Sequence, residues 1–140
     1  MTTRAFALAA ALFVAVPVFA HHPFSAEYDW KKPITVSGTV TKVDWANPHA
    51  RIFMDAKDAT GKVAKWEFEL GGIGALSKAG WKKDTVKNGD SITIDGWQSK
   101  NRATGANVKS IRLSNGHELS GASSISDPIT EDKKVSTASK

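Results

Sequence analysis

The chain has 140 residues, contains no cysteine and carries a formal net charge of +5 at pH 7. The absence of cysteine excludes disulfides, thiolate metal ligands and thiol nucleophiles. The positive charge is modest and spread along the sequence, so it does not by itself indicate a nucleic-acid or membrane partner.

Residues 1–20 have the pattern of a cleavable export signal. Arg4 supplies a positive start, residues 5–20 are mostly apolar and uncharged, and the small residue Ala20 suits signal peptidase. A membrane anchor is the alternative, but an anchor needs about 20 apolar residues and this run ends sooner. We therefore expect cleavage after Ala20 and a periplasmic or secreted protein, with no membrane span after processing and enough chain for one domain.

Residues 21–33 are predicted to form an irregular N-terminal arm. They show no regular alternation, yet Phe24, Tyr28 and Trp30 are heavy apolar groups, so the arm is expected to lie back on the domain. The residues after the arm alternate as a β-strand, but the alternation changes parity near Thr41-Lys42. This slip predicts a bent first strand with Gly38 and a β-bulge.

Four further strand patterns follow, at residues 51–56, 63–70, 91–97 and 108–113, and a short helix is predicted at residues 75–79. A bent first strand and a helix between the third and fourth strands are the element order of an OB-fold. We predict an all-β protein with one short helix, a five-stranded OB-fold-like barrel over residues 34–121, in preference to a small β-sandwich. Residues 122–140 are polar and predicted to be a disordered tail.

Three of the four histidines stand where a metal ion could use them. Cleavage after Ala20 makes His21 the first residue, so its α-amino nitrogen and its imidazole Nδ1 can chelate one ion, and a third nitrogen from His49 or His22 completes a planar set. Such a histidine brace suits Cu(II), which prefers tetragonal nitrogen coordination. The alternative is a polar chain start and a His49 that bonds to backbone after the Asn47-Pro48 turn. Zinc is less favoured, since a closed zinc site takes four protein ligands and cysteine is absent.

Two loops form the ligand face of an OB-fold, the first interstrand loop and the loop between the fourth and fifth strands. Trp45 and Asn47 belong to the first loop, and Lys100 and Arg102 to the second. These side chains could bind a small ligand or an envelope protein, although large aromatic groups also commonly belong to the core of small barrels. Nucleic-acid binding is not expected, because an exported protein rarely meets nucleic acid.

Enzyme activity has no positive support in the sequence. Glu67 and Glu69 share one face of the third strand, as residues of a solvated strand face usually do. The motifs of serine hydrolases, zinc proteases, phosphate loops and dinucleotide sites are all missing. We predict a binding protein and not an enzyme, with copper as the only candidate cofactor.

Four segments of the sequence are distinctive in combination. They are HHxFxxxYD at 21–29, GTVxxVxWxNPHA at 38–50, WxFEL at 66–70, and Gly-Trp at 80–81 followed by Gly-Asp at 89–90. Together they resemble a bacterial family of small secreted proteins catalogued only as a domain of unknown function, and the resemblance covers His21 to about Leu119. It implies export and a shared fold but no established activity. Pro23 stands where such relatives typically have serine, and Arg51 where an aromatic residue is common.

Overall fold

A computed structural model describes residues 24–123 of the chain. The predicted signal peptide, His21, His22 and residues 124–140 of the predicted tail lie outside this range. No helix within residues 24–123 is long and apolar enough to cross a membrane. The elements are, in chain order, α1 (Phe24–Glu27), β1 (Tyr28–Asp44), β2 (Arg51–Lys57), β3 (Val63–Glu69), α2 (Ile73–Lys78), β4 (Ser91–Ser99), β5 (Gly105–Leu113) and β6 (Glu118–Ser120).

The strands form one sheet that closes into a ring. β1 pairs with β2 on one side and β4 on the other, β2 continues to β3, and β4 continues to β5, all antiparallel. The ring closes where β3 and β5 pair in parallel, with Glu69 opposite Asn107. β6 adds to the free edge of β5, with Leu119 opposite Ile111. The predicted all-β class is confirmed, and α2 is the predicted short helix between the third and fourth strands.

β1 is bent as its residue pattern predicts. Its register against β2 shifts between Val40 and Lys42, which is the parity slip read from the sequence. Gly38 lies where β1 approaches β2 most closely, because a Cβ built there would collide with the carbonyl oxygen of Asp55. A single strand can therefore serve two walls of the ring.

The interior of the ring is filled by the inward-facing residues of every long strand. Phe68, Ile94, Val108 and Ile111 are fully buried, and Leu76 of α2 is packed into the same cluster. The alternation predicted for residues 52, 54 and 56 is confirmed by their burial. Burial of such side chains stabilises the fold by roughly 1.5–3 kcal/mol each.

The prediction that residues 21–33 are irregular is wrong for the described part of that segment. Residues 24–27 form α1, and β1 begins at Tyr28. Tyr28 pairs with Ser99 of β4, and the next paired residue of β1 is Pro33, opposite Trp97. Because residues 29–32 between them are not paired with β4, the start of β1 shows no regular alternation in the sequence. The segment does lie back on the domain: the Phe24 ring is 5.3 Å from that of Tyr28 and 5.5 Å from that of Trp97.

Two predicted boundaries also shift. β5 begins at Gly105, three residues before the predicted start, because residues 105–107 pair with β3. At the other end, Ala122 packs against the core and the Gly71 amide donates to the Gly121 carbonyl oxygen at 2.9 Å. Domain packing therefore passes the predicted boundary at residue 121.

Candidate functional site

His49 is held beside the end of β3 by the backbone of the next residue. The Ala50 amide donates to the Gly71 carbonyl oxygen at 3.1 Å, and the Ala50 carbonyl accepts from the Leu70 amide at 2.9 Å. Ala50 is buried, whereas the His49 side chain keeps 34% of its surface exposed. The imidazole is thus anchored by the sheet and still reaches the surface.

The tautomer of His49 follows from its backbone contact. Nδ1 lies 3.1 Å from the Leu70 carbonyl oxygen, and because a carbonyl only accepts, Nδ1–H must be the donor. In the neutral ring the lone pair then belongs to Nε2. Metal-binding histidines commonly have this arrangement, in which the other ring nitrogen is fixed by a carbonyl or carboxylate.

A chain of ion pairs on β2, β3 and the loop after β4 leads to His49. The Glu67 carboxylate makes the shortest pairs, 2.7 Å to Arg102 Nη1 and 3.2 Å to Arg51 Nε. Glu69 contacts its neighbours at longer range, 3.9 Å to Arg51 Nη2 and 3.7 Å to His49 Nδ1. We call these groups, together with the buried hydroxyl of Tyr28, the His49 cluster. Its members are Tyr28, His49, Arg51, Glu67, Glu69 and Arg102.

Tyr28 brings a buried hydroxyl to the cluster. The residue is only 2% exposed, and its Oη has no hydrogen-bond partner among residues 24–123. Burial raises the pKa of Tyr28 above its ordinary value, and the negative charge of Glu69 raises it further. The Glu69 carboxylate therefore disfavours ionisation of this hydroxyl.

Arg102 is held in the charged state by its partner. Partial burial opposes its charge, but the hydrogen bond and the negative charge of Glu67 outweigh that effect and raise the Arg102 pKa. The Gln98 side-chain amide donates to the Arg102 carbonyl oxygen at 3.0 Å and so fixes the backbone of this loop. The loop after β4 thus closes over the end of β3.

The first described element, α1, is hydrogen-bonded to Lys100 next to this cluster. The Lys100 ammonium donates to the Ser25 carbonyl oxygen at 2.6 Å, and the Lys100 amide donates to the Glu27 carbonyl oxygen at 2.8 Å. Phe24 packs on Tyr28, a member of the cluster. Phe24, the first described residue, therefore lies close to Tyr28.

The three predicted metal ligands cannot all be located. His49 lies in the cluster, but His21 and His22 fall outside the described residues. Within residues 24–123, no group of three or more His, Asp or Glu side chains is arranged to hold a metal ion.

The four predicted ligand residues have separate positions. Trp45 is half-buried and packs against the core. The Asn47 side-chain oxygen accepts from the Ile73 amide at 3.0 Å, at the start of α2. Lys100 holds α1 as described above, and Arg102 belongs to the His49 cluster. The structure thus does not gather these four side chains in one pocket among the described residues.

Two grooves lie on the surface of the ring. One, of about 530 Å³, runs beside Arg102 and Glu67 and is also lined by Phe53, Trp66 and Lys65. The other, of about 580 Å³, is lined by hydroxyl-bearing residues of β1 and β4 and contains none of the predicted site residues. Of the predicted site residues within 24–123, Arg102 lines the first of these two grooves.

Of the six members of the cluster, sequence reasoning singled out only His49 and Arg102 as site residues. Glu69 was expected on a solvated face, but its side chain is only 12% exposed. Tyr28 was expected in an irregular arm, and Asn107 in a polar loop, yet Asn107 is buried and its Oδ1 has no partner among the described residues. The signal that could have found Glu69 is its place directly before the buried Leu70, where the strand ends.

Comparison with known families places this chain in one of them. Residues 9–108 match a family of unknown function, DUF6152, and the chain belongs to that family. Of the resemblance noted in the sequence, membership of a family of unknown function is confirmed. No curated protein matches the chain.

Proposed function

We propose that this protein is exported, is cleaved after Ala20, and binds Cu(II) in the periplasm or outside the cell through an N-terminal histidine brace. His21 supplies its α-amino group and Nδ1, and His49 supplies Nε2 as the third nitrogen. His22 is the alternative third ligand. The chain acts as a binding protein and not as an enzyme, in a bacterial envelope, as the resemblance in the sequence implies.

The observation that carries this proposal is the contact between His49 Nδ1 and the Leu70 carbonyl oxygen, 3.1 Å long. It assigns the proton to Nδ1 and the lone pair to Nε2, which is the nitrogen a metal ion would take. Because the imidazole is partly exposed and its neighbour Ala50 is anchored, the ring is also oriented before an ion arrives.

The reach of the preceding residues supports the same site. Three residues of extended chain span at most about 11 Å, so His21 lies within that distance of Phe24. Phe24 packs on Tyr28, the charge of Glu69 acts on the Tyr28 hydroxyl, and Glu69 lies 3.7 Å from His49. The hydrogen bonds from Lys100 to α1 thus hold Phe24 next to Tyr28, a member of the His49 cluster.

The test is a Cu(II) titration of the processed protein, monitored by electron paramagnetic resonance, after mass determination of its N-terminus. We expect a nitrogen-rich tetragonal spectrum that is lost in His21→Ala and changed in His49→Ala. A matched control is the same chain with one extra residue before His21, which removes the free amine at that position and should bind more weakly. Equal uptake by the processed and extended chains would overturn the brace.

A second candidate function is recognition of a small ligand in the groove beside Arg102. It is favoured by the volume of that groove, about 530 Å³, which is within the range of small-molecule sites. Phe53 and Trp66 offer apolar surface there, and Arg102 offers a charged donor. A thermal-shift screen with anionic sugars and carboxylates tests this candidate, because Arg102→Ala should abolish any shift that such a ligand produces.

A further inference from the structure

Glu69 differs from its neighbour Glu67 in burial and in how its charge is paired. Its side chain is 12% exposed, against 29% for Glu67. The close contacts of both arginines go to Glu67, whereas Glu69 has only the 3.9 Å approach of Arg51. A buried carboxylate is costly unless its charge is compensated. Glu69 is therefore the more buried of the two carboxylates and the one with the longer ion pairs.

The two carboxylate oxygens of Glu69 face different groups. Oε2 faces Arg51, and Oε1 lies 3.7 Å from the Nδ1 of His49. Negative charge beside Nδ1 favours the tautomer with the proton on that nitrogen and makes the opposite nitrogen, Nε2, a stronger electron donor. The Glu69 carboxylate and the Leu70 carbonyl thus both favour the His49 tautomer with the proton on Nδ1.

The negative charge of Glu69 also acts on Tyr28, another member of the His49 cluster. The Tyr28 hydroxyl is buried, and after burial itself, the charge of Glu69 is the next largest cause of its raised pKa. In such a partly buried place, electrostatic interactions are less screened than at the open surface. A cation bound at His49 would therefore be stabilised by this carboxylate.

We infer that Glu69 is the positioning and charge-compensating residue for His49, holding its imidazole in the Nδ1–H form and balancing a metal cation bound at Nε2. This inference rests on the proposed function for its second half. Glu69 lies on the Nδ1 side of the ring, so it acts through His49 and is not itself a metal ligand.

Glu69→Gln and Glu67→Gln form a matched pair for the test. Both remove one negative charge from the same face of β3 and weaken an ion pair with Arg51, but only Glu69 is next to His49. We expect Glu69→Gln to weaken Cu(II) binding by about 10- to 100-fold, as losses of outer-shell partners do. Glu67→Gln should change it much less, and Glu69→Asp, which keeps the charge, should recover part of the affinity.

A second measurement needs no metal. Nitrogen NMR of the His49 ring reports its tautomer, and Glu69→Gln should lower the Nδ1–H population while Glu67→Gln leaves it unchanged. If the native protein binds copper and the two glutamine variants behave alike in both measurements, the inference about Glu69 is wrong. If the native processed protein binds no copper, the proposed function fails instead, and the tautomer comparison still decides whether Glu69 positions His49.

Discussion

The ammonium of Lys100 donates a hydrogen bond of 2.6 Å to the carbonyl oxygen of Ser25, 75 positions earlier in the chain. This bond ties the loop after β4 to α1. We expect Lys100→Met to loosen α1 from Trp97 but to change stability by only about 1 kcal/mol, because the backbone bond from Lys100 to Glu27 remains. NMR cross-peaks between the Phe24 and Trp97 rings should weaken.

Lys109 offers the control for that substitution, since it is an exposed lysine on β5. Lys109→Met should leave the Phe24–Trp97 cross-peaks intact. In copper titrations, Lys100→Met should weaken binding in the native background and have no further effect in His21→Ala. If Lys100→Met and His21→Ala weaken copper binding additively, the hydrogen bonds of Lys100 to α1 do not position His21.

Asn47 is expected to stabilise α2 and not to bind a ligand. Its side-chain oxygen accepts the Ile73 amide, while Gly72, which precedes the helix, has no side chain to do so. Because free amides at a helix start need an acceptor, Asn47→Ala should cost about 1 kcal/mol, measured by urea unfolding. The exposed Asn101 is the comparison, and Asn101→Ala should change stability by less than about 0.5 kcal/mol.

Tyr28 is the only tyrosine in the chain, so its ionisation can be followed by phenolate absorbance. Its folded-state pKa is raised, mainly by burial, and the neutral form is favoured in the fold. The resulting stability is fully present below the unfolded value, about 10, and is lost as pH rises beyond it. Urea unfolding at about pH 8 and about pH 11 should therefore show a loss of stability.

Tyr28→Phe removes that alkaline sensitivity in part, because no group remains to ionise at position 28. At neutral pH we expect this variant to be neutral or more stable by up to about 1 kcal/mol, since a buried hydroxyl without a partner is removed. A large loss of stability at neutral pH would show instead that the hydroxyl is hydrogen-bonded in solution.

Gly38 is expected to be intolerant of any side chain. A Cβ there would collide with the Asp55 carbonyl oxygen on the neighbouring strand, so Gly38→Ala should cost about 1–3 kcal/mol by overpacking. Gly74 lies in α2 with open space around it, and Gly74→Ala should add about 0.5–1 kcal/mol through helix propensity. Equal effects in thermal unfolding would contradict the close approach of β1 and β2.

Local pattern predicted the ring well because its strands are half-buried. The parity slip near Thr41 became the register shift between Val40 and Lys42, and the alternation of residues 52–56 became burial. The start of β1 was missed because residues 29–32 interrupt its pairing with β4. The early start of β5 was missed because Asn107 is polar, and its burial depends on β3, which is distant in sequence.

The sequence predicted only those parts of the candidate site that a local motif marks. The Asn-Pro-His turn indicated His49, and its bond to a backbone carbonyl agrees with the structural alternative weighed in the sequence as well as with the metal hypothesis. The environment of Glu69 could not be predicted, because Tyr28 and Arg102 reach it from opposite ends of the chain. The prediction of Lys100 as a ligand residue identified a residue that holds α1 in the structure.

The position of β1 between β2 and β4 determines how the ring unfolds. Thr39 pairs with Asp55 on one side and with Ser91 on the other, so neither wall can detach without breaking bonds to the same strand. The two halves are consequently one cooperative unit, and amide hydrogen exchange around Thr39 and Val40 should proceed only through complete unfolding.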